Sequence, residues 1–132
     1  MRVSIILGSE SDREFAQQGS EILANANVNY EIVAYSAHRD LYGLLKYLNE
    51  MKDIKVIIAV AGMSAALPGI VASQVKIPVI GVPRNVGAFQ GIDALLSMIQ
   101  MPKGVPVATM GVGKAGMINA AKLALRILEV VR

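Results

Sequence analysis

A chain of 132 residues is the usual size of one domain with one core, so a single domain over 1–132 is the expectation. Hydrophobic residues make up 54% and charged residues 17%, an apolar balance that a small monomer has little room to bury, which points to surface covered between subunits. The absence of cysteine and the single histidine exclude disulfides, thiolate nucleophiles and multi-histidine metal sites, and 13 Lys and Arg against 10 Asp and Glu, scattered and without tryptophan, argue against a nucleic-acid partner.

The chain opens directly on an apolar, β-branched run, Val3 to Leu7, rather than on a charged segment with an apolar targeting region, and no run reaches the ~18–20 residues that span a bilayer. A cytoplasmic protein without a membrane partner is expected. The loop Gly8-Ser9-Glu10-Ser11-Asp12 then leads into a helix with Phe15, Gly19, Ile22 and Leu23 on one face and a possible capping box from Ser11 and Glu14. Glycine, two hydroxyls and the N–H groups of a helix start could hold a phosphate or ribose; equally, Ser11 and Asp12 could simply cap the helix.

A second strand, Tyr30 to Tyr35, runs into Ser36-Ala37-His38-Arg39, followed by a helix with the stripe Leu41, Leu44, Leu45 and Leu48 and Asp40 as its cap. A histidine titrates near neutrality and can move a proton in either direction, and an arginine beside it can grip a phosphate or carboxylate. In a loop at this edge, catalysis outweighs a structural role for His38, with Asp12 as a possible partner carboxylate. Met51 to Lys55 is a short polar break before a third strand, Val56 to Ala61. Gly62 to Pro68 follows as a loop of small residues that could hold a planar ring by shape and backbone hydrogen bonds, or be only a tight turn, with Pro68 in the first turn of the next helix.

The fourth strand, Val79 to Val82, leads to Pro83 to Gly91, which carries Arg84 and Asn85 and reads either as a mobile flap or as an ordinary exposed loop. Gly91 to Ile99 reads as a helix, Val107 to Val112 as a fifth strand and Ala115 to Val131 as the longest helix. The glycines of Gly111 to Gly116 lack the spacing of a dinucleotide fingerprint and make only a turn. Continuous apolar strands alternating with amphipathic helices predict an α/β fold: a doubly wound parallel sheet in a three-layer α/β/α sandwich, flavodoxin-like, with its ligand site beyond the carboxyl ends of the strands.

Taken together, Gly8-Ser9-x-Ser11-Asp12, Ser36-Ala37-His38-Arg39, Ala61-Gly62 with Leu67-Pro68-Gly69, Pro78 to Pro83, Gly91 to Ser97, Gln100-Met101-Pro102 and Gly104 to Thr109 resemble the 5-(carboxyamino)imidazole ribonucleotide mutase and phosphoribosylaminoimidazole carboxylase family over nearly the whole chain. The resemblance implies carboxyl transfer in purine biosynthesis on an aminoimidazole ribonucleotide with carbon dioxide, no metal or organic cofactor, and a homo-oligomer, usually an octamer. It implies His38 as general acid and base; Ser9, Asp12 and Arg39 on the substrate; Ser11, Ser36 and Arg39 near the phosphate; and Asp12 near the ribose hydroxyls. Gly62, Ser64, Ala65 and Leu67 would enclose the carbon dioxide.

The family's bacterial mutases carry a second histidine where Ala66 stands, a Thr-Pro where Asp40-Leu41 stands, and a further C-terminal helix. Its carboxylases, which take free carbon dioxide, have a serine at the place of Ser64 but a lysine at that of Arg39. Carboxylation with free carbon dioxide and a non-catalytic nucleotide-binding module, with His38 only a ligand contact, stand as the alternatives to the mutase.

Overall fold

The computed structural model describes residues 2–131. Five strands, β1 (Val3–Leu7), β2 (Tyr30–Ala34), β3 (Val56–Ala61), β4 (Val79–Pro83) and β5 (Ala108–Thr109), alternate with helices α1 (Arg13–Asn25), α2 (Leu41–Glu50), α3 (Leu67–Gln74), α4 (Ile92–Ile99) and α5 (Lys114–Val130). All strand pairs are parallel, in the order β2-β1-β3-β4-β5. This is the flavodoxin-like order, in which the chain reverses its direction of travel between β1 and β3.

Side chains alternate across each strand and so divide the core into two layers. Val3, Ile5 and Leu7, Val56, Ile58 and Val60, and Ile80 and Val82 meet Ala16 and Leu23 of α1 and Met117, Ala120, Ala121 and Ala124 of α5. Ile6, Ile57, Ala59 and Val79 meet Leu44 and Leu48 of α2, Leu67 and Val71 of α3, and Ala94 and Met98 of α4. β1, β3 and β4 are fully buried, whereas β2, an edge strand with one neighbour, is half-buried along its length.

Several boundaries differ from the sequence expectation. The fifth strand pairs only as Ile80 with Ala108 and Gly81 with Thr109, far short of Val107 to Val112. Pro106 precedes it without an N–H to donate, and Gly111, at φ 115°, turns the chain out of the extended region soon after it. The capping box of Ser11 and Glu14 does not form. A 3-10 turn, Glu10–Asp12, precedes α1 instead, with Ser9 as its cap, accepting from the Ser11 N–H at 3.3 Å. On α1 the buried face is Ala16, Gly19, Ser20 and Leu23, while Phe15 and Ile22 lie at its margin. Gly116 is obligatory at the start of α5, because a Cβ there would collide with the Gly111 carbonyl oxygen.

Candidate active site

The carboxyl ends of β1, β2 and β3 deliver three loops to one open cleft of about 370 Å³, at the point where the strand order reverses. Gly8 leaves β1 with its N–H on the Val60 carbonyl at 2.8 Å, which ties the first loop to β3. Beyond it, the Ser9 and Ser11 hydroxyls lie 2.9 Å apart, and the Asp12 N–H donates to the Ser9 carbonyl at 3.0 Å. This turn presents two hydroxyls and a carboxylate to the cleft.

The loop after β2 is closed by its own first residue. Ser36 Oγ accepts from the Arg39 N–H at 3.1 Å and its carbonyl accepts from the Asp40 N–H at 2.8 Å, so His38 and Arg39 stand exposed on a turn of fixed shape. Asp40 then caps α2, its carboxylate accepting from the Gly43 N–H at 3.0 Å. Tyr35, just before the turn, stacks its ring 5.3 Å from that of Tyr47 on α2.

The loop after β3 contains Met63 at φ 56°, a left-handed conformation that costs free energy in a residue with a side chain. It exposes Met63 and Ser64 and turns Ala66 toward the cleft. Gly62 is packed so closely that a Cβ would lie 2.7 Å from Val86 Cγ2.

Ser9, Ser11, Asp12, Ser36, His38, Arg39, Gly62, Ser64 and Leu67 all line the cleft. Ala65 does not; it is 1% exposed and packs into the core beside Leu67. Among the described residues, no group of three or more His, Cys, Asp or Glu side chains is placed to hold a metal ion, and no helix is long and apolar enough to cross a membrane.

Asp12 is not shown against His38: its Oδ1 accepts from Arg84 Nη1 at 2.6 Å. The loop Pro83 to Gly91 is exposed from Gly87 to Gln90 and tied down where it leaves β4. The Arg84 N–H is held by the Ala61 carbonyl at 2.9 Å and the Pro83 carbonyl accepts from the Gly113 N–H at 2.8 Å, while Val86 forms part of the cleft wall. The Arg84 guanidinium also lies 4.4 Å from the centre of the Phe15 ring. Arg84 and Val86 were not legible as site residues; the signal available was only their position after β4, at the same sheet edge.

Comparison with known proteins points to one family. The sequence profile of the family described as AIR carboxylase matches residues 2–132. The chain is 49% identical over 129 residues to the N5-carboxyaminoimidazole ribonucleotide mutase of Bacillus subtilis, covering 96% of this chain and 80% of that protein. It is 47% identical to the N5-carboxyaminoimidazole ribonucleotide mutase of Saccharolobus solfataricus over 131 residues, 98% of this chain and 82% of that one. Among solved structures, Treponema denticola PurE superposes with a TM-score of 0.86 at 32% identity, over 98% of this chain and 81% of that chain.

Proposed function

The chain belongs to the AIR carboxylase family, and from that premise we propose that it is an N5-carboxyaminoimidazole ribonucleotide mutase in purine biosynthesis, with His38 as the general acid and base. The observation that carries the assignment is the convergence of the Ser9–Asp12, Ser36–Arg39 and Gly62–Leu67 loops on one cleft at the strand-order reversal. The reading treats 1–132 as one catalytic domain, supported by a single sheet that takes strands from Val3 to Thr109.

In this proposal Ser11, Ser36 and Arg39 take the phosphate, and Ser9 and Asp12 take the ribose side of the ligand. The guanidinium of Arg39, exposed beside two hydroxyl-bearing turns, suits a dianionic oxyanion group. The reaction breaks the bond between the exocyclic nitrogen and the carboxylate, giving carbon dioxide and a nitrogen that takes a proton. C4 of the imidazole then attacks the carbon dioxide, and the proton on C4 leaves. One titratable group can give the first proton and take the second, and His38 is the only imidazole among the side chains lining the cleft.

Carbon dioxide has no charge by which it can be gripped, so it must be retained by shape. The Gly62–Leu67 loop provides small, closely packed walls for this, with Gly62, Ser64 and Leu67 facing the cleft and Ala65 supporting them from the core. Ala66 adds no ionisable group, which leaves His38 to carry both proton transfers.

A homo-oligomer, as an octamer, belongs to the same proposal and is supported by an exposed apolar stripe on and before α4 made of Phe89, Ile92, Leu96 and Ile99. So does a cytoplasmic location, because a phosphorylated ribonucleotide is confined by its charge to the compartment in which it is made.

Product formation by the purified protein tests the function, run in parallel with the carbamate substrate and with aminoimidazole ribonucleotide plus bicarbonate. Turnover of the carbamate at low bicarbonate is the expected result. Turnover only with added bicarbonate would make the protein a carboxylase, and turnover of neither would leave a binding module.

A further inference from the structure

Of the side chains outside the sequence-derived site, Arg84 is the one fixed most completely against it. Its backbone N–H is on Ala61, its Nη1 is on Asp12, its guanidinium covers the Phe15 ring, and its Nε is buried with no hydrogen-bond partner among the described residues. Its side chain is 20% exposed and that of Asp12 10%, so the pair is largely shielded from water, where removing one charge leaves the other poorly solvated. Asp12 is also the only carboxylate among the residues lining the cleft. Left without a counter-charge, it would repel a phosphate bound in the same space.

We infer that Arg84 is a positioning residue for the substrate: by taking Oδ1 of Asp12 it fixes the carboxylate with Oδ2 turned to account for a ribose hydroxyl, and it neutralises the one negative charge in a cleft built for an anion. Among the described residues only Oδ1 is engaged, so Oδ2 keeps its capacity to accept. The geometry divides the labour. Arg39 on the exposed turn is left to take the phosphate in the proposed reading, while Arg84, clamped between Asp12 and Phe15, acts through the carboxylate and does not touch the ligand. The inference rests on the reading that Asp12 receives the ribose.

The test combines Arg84→Met, which keeps the apolar stem over Phe15 and removes the charge, with Arg84→Lys, Asp12→Asn and the Arg84→Met/Asp12→Asn double variant. Two quantities are read: kcat and KM with the carbamate, and the Kd for aminoimidazole ribonucleotide by calorimetry. Arg84→Met is expected to raise KM and Kd about tenfold or more while kcat falls by much less, and Arg84→Lys to recover part of the loss. Because Arg84 acts through Asp12, the double variant should bind no worse than Asp12→Asn alone.

Unchanged KM and Kd in Arg84→Met, or losses that simply add in the double variant, would overturn the inference. If Arg84→Met fails to fold, the comparison of Arg84→Lys with Asp12→Asn and their combination carries the same test. Wild-type protein that binds the ribonucleotide without turnover would sink the assigned reaction and leave the Arg84–Asp12 coupling measurable in Kd. Wild-type protein that binds no ribonucleotide would sink both.

Discussion

His38 owes its position to Ser36. The hydroxyl that closes the turn onto the Arg39 N–H is what holds an exposed imidazole at the mouth of the cleft. Replacing His38 with Asn removes the titratable group and leaves the turn, so kcat should fall by about 10²- to 10⁴-fold, with KM and the far-ultraviolet circular dichroism little changed. Steady-state kinetics with the carbamate check this; a variant within a few-fold of wild type would refute the role. His38, Arg39 and the Ser9–Asp12 turn were legible because a parallel sheet puts its ligands at strand carboxyl ends, and those residues directly follow β1 and β2. Side-chain direction was not legible. Ala65 and Ala66 are adjacent and chemically identical, yet one packs into the core and the other faces the cleft. The Asp12–Arg84 pair joins positions 72 apart in sequence, a contact that no local pattern encodes.

At the scale of elements, α2 is fastened to the sheet by one polar chain within an apolar layer. Ser4, fully buried in β1, meets the Tyr47 hydroxyl at 2.5 Å, and that hydroxyl donates to Glu31 Oε1 of β2 at 2.7 Å. Tyr47→Phe would leave the Ser4 hydroxyl buried without its partner, at a cost of about 1–3 kcal/mol in urea unfolding at neutral pH. Burial pushes the Tyr47 phenol up from its ordinary 10.0, and the nearby Glu31 carboxylate pushes it in the same direction against the opposing effect of the Ser4 bond. The folded protein therefore holds this proton more tightly than the unfolded chain. That contribution to stability is whole below pH 10 and is lost as pH rises above it toward the folded value. Wild type should lose stability above pH 10 more steeply than Tyr47→Phe; parallel curves would show that the phenol is not coupled to folding. The buried strands and the stripes of α2 were legible from periodicity, as was the Asp40 cap. The brevity of β5 was not, because it depends on having one neighbour and on the chain turning away at Gly111. Nor was the failed capping box, since the 3-10 turn moves the cap from Ser11 back to Ser9.

For the molecule as a whole, the sheet order was legible only as far as the alternation of strand and helix. That alternation requires parallel strands and right-handed crossovers, but the reversal between β1 and β3 arises from long-range pairing. The composition carried a second whole-molecule signal, an apolar fraction in excess of what the core takes up. Part of that excess lies on the α4 side, where Phe89 is 68%, Ile92 63%, Leu96 56% and Ile99 45% exposed. Ile92, Leu96 and Ile99 recur at helical spacing on the face opposite to Ala94 and Met98, which pack into the core, so the stripe belongs to neither layer of this chain. Burying Leu and Ile side chains recovers about 1.5–3 kcal/mol each, and a second copy supplies an identical stripe across a two-fold or cyclic axis. Leu96→Glu tests this without disturbing the fold, because the side chain is already exposed in one chain. A charge placed there would be buried unpaired only if chains associate. Light scattering should show wild type as a multimer and Leu96→Glu at lower mass, with the circular dichroism of the two alike. A monomeric wild type, or a variant that keeps its full assembly, would remove α4 from the interface.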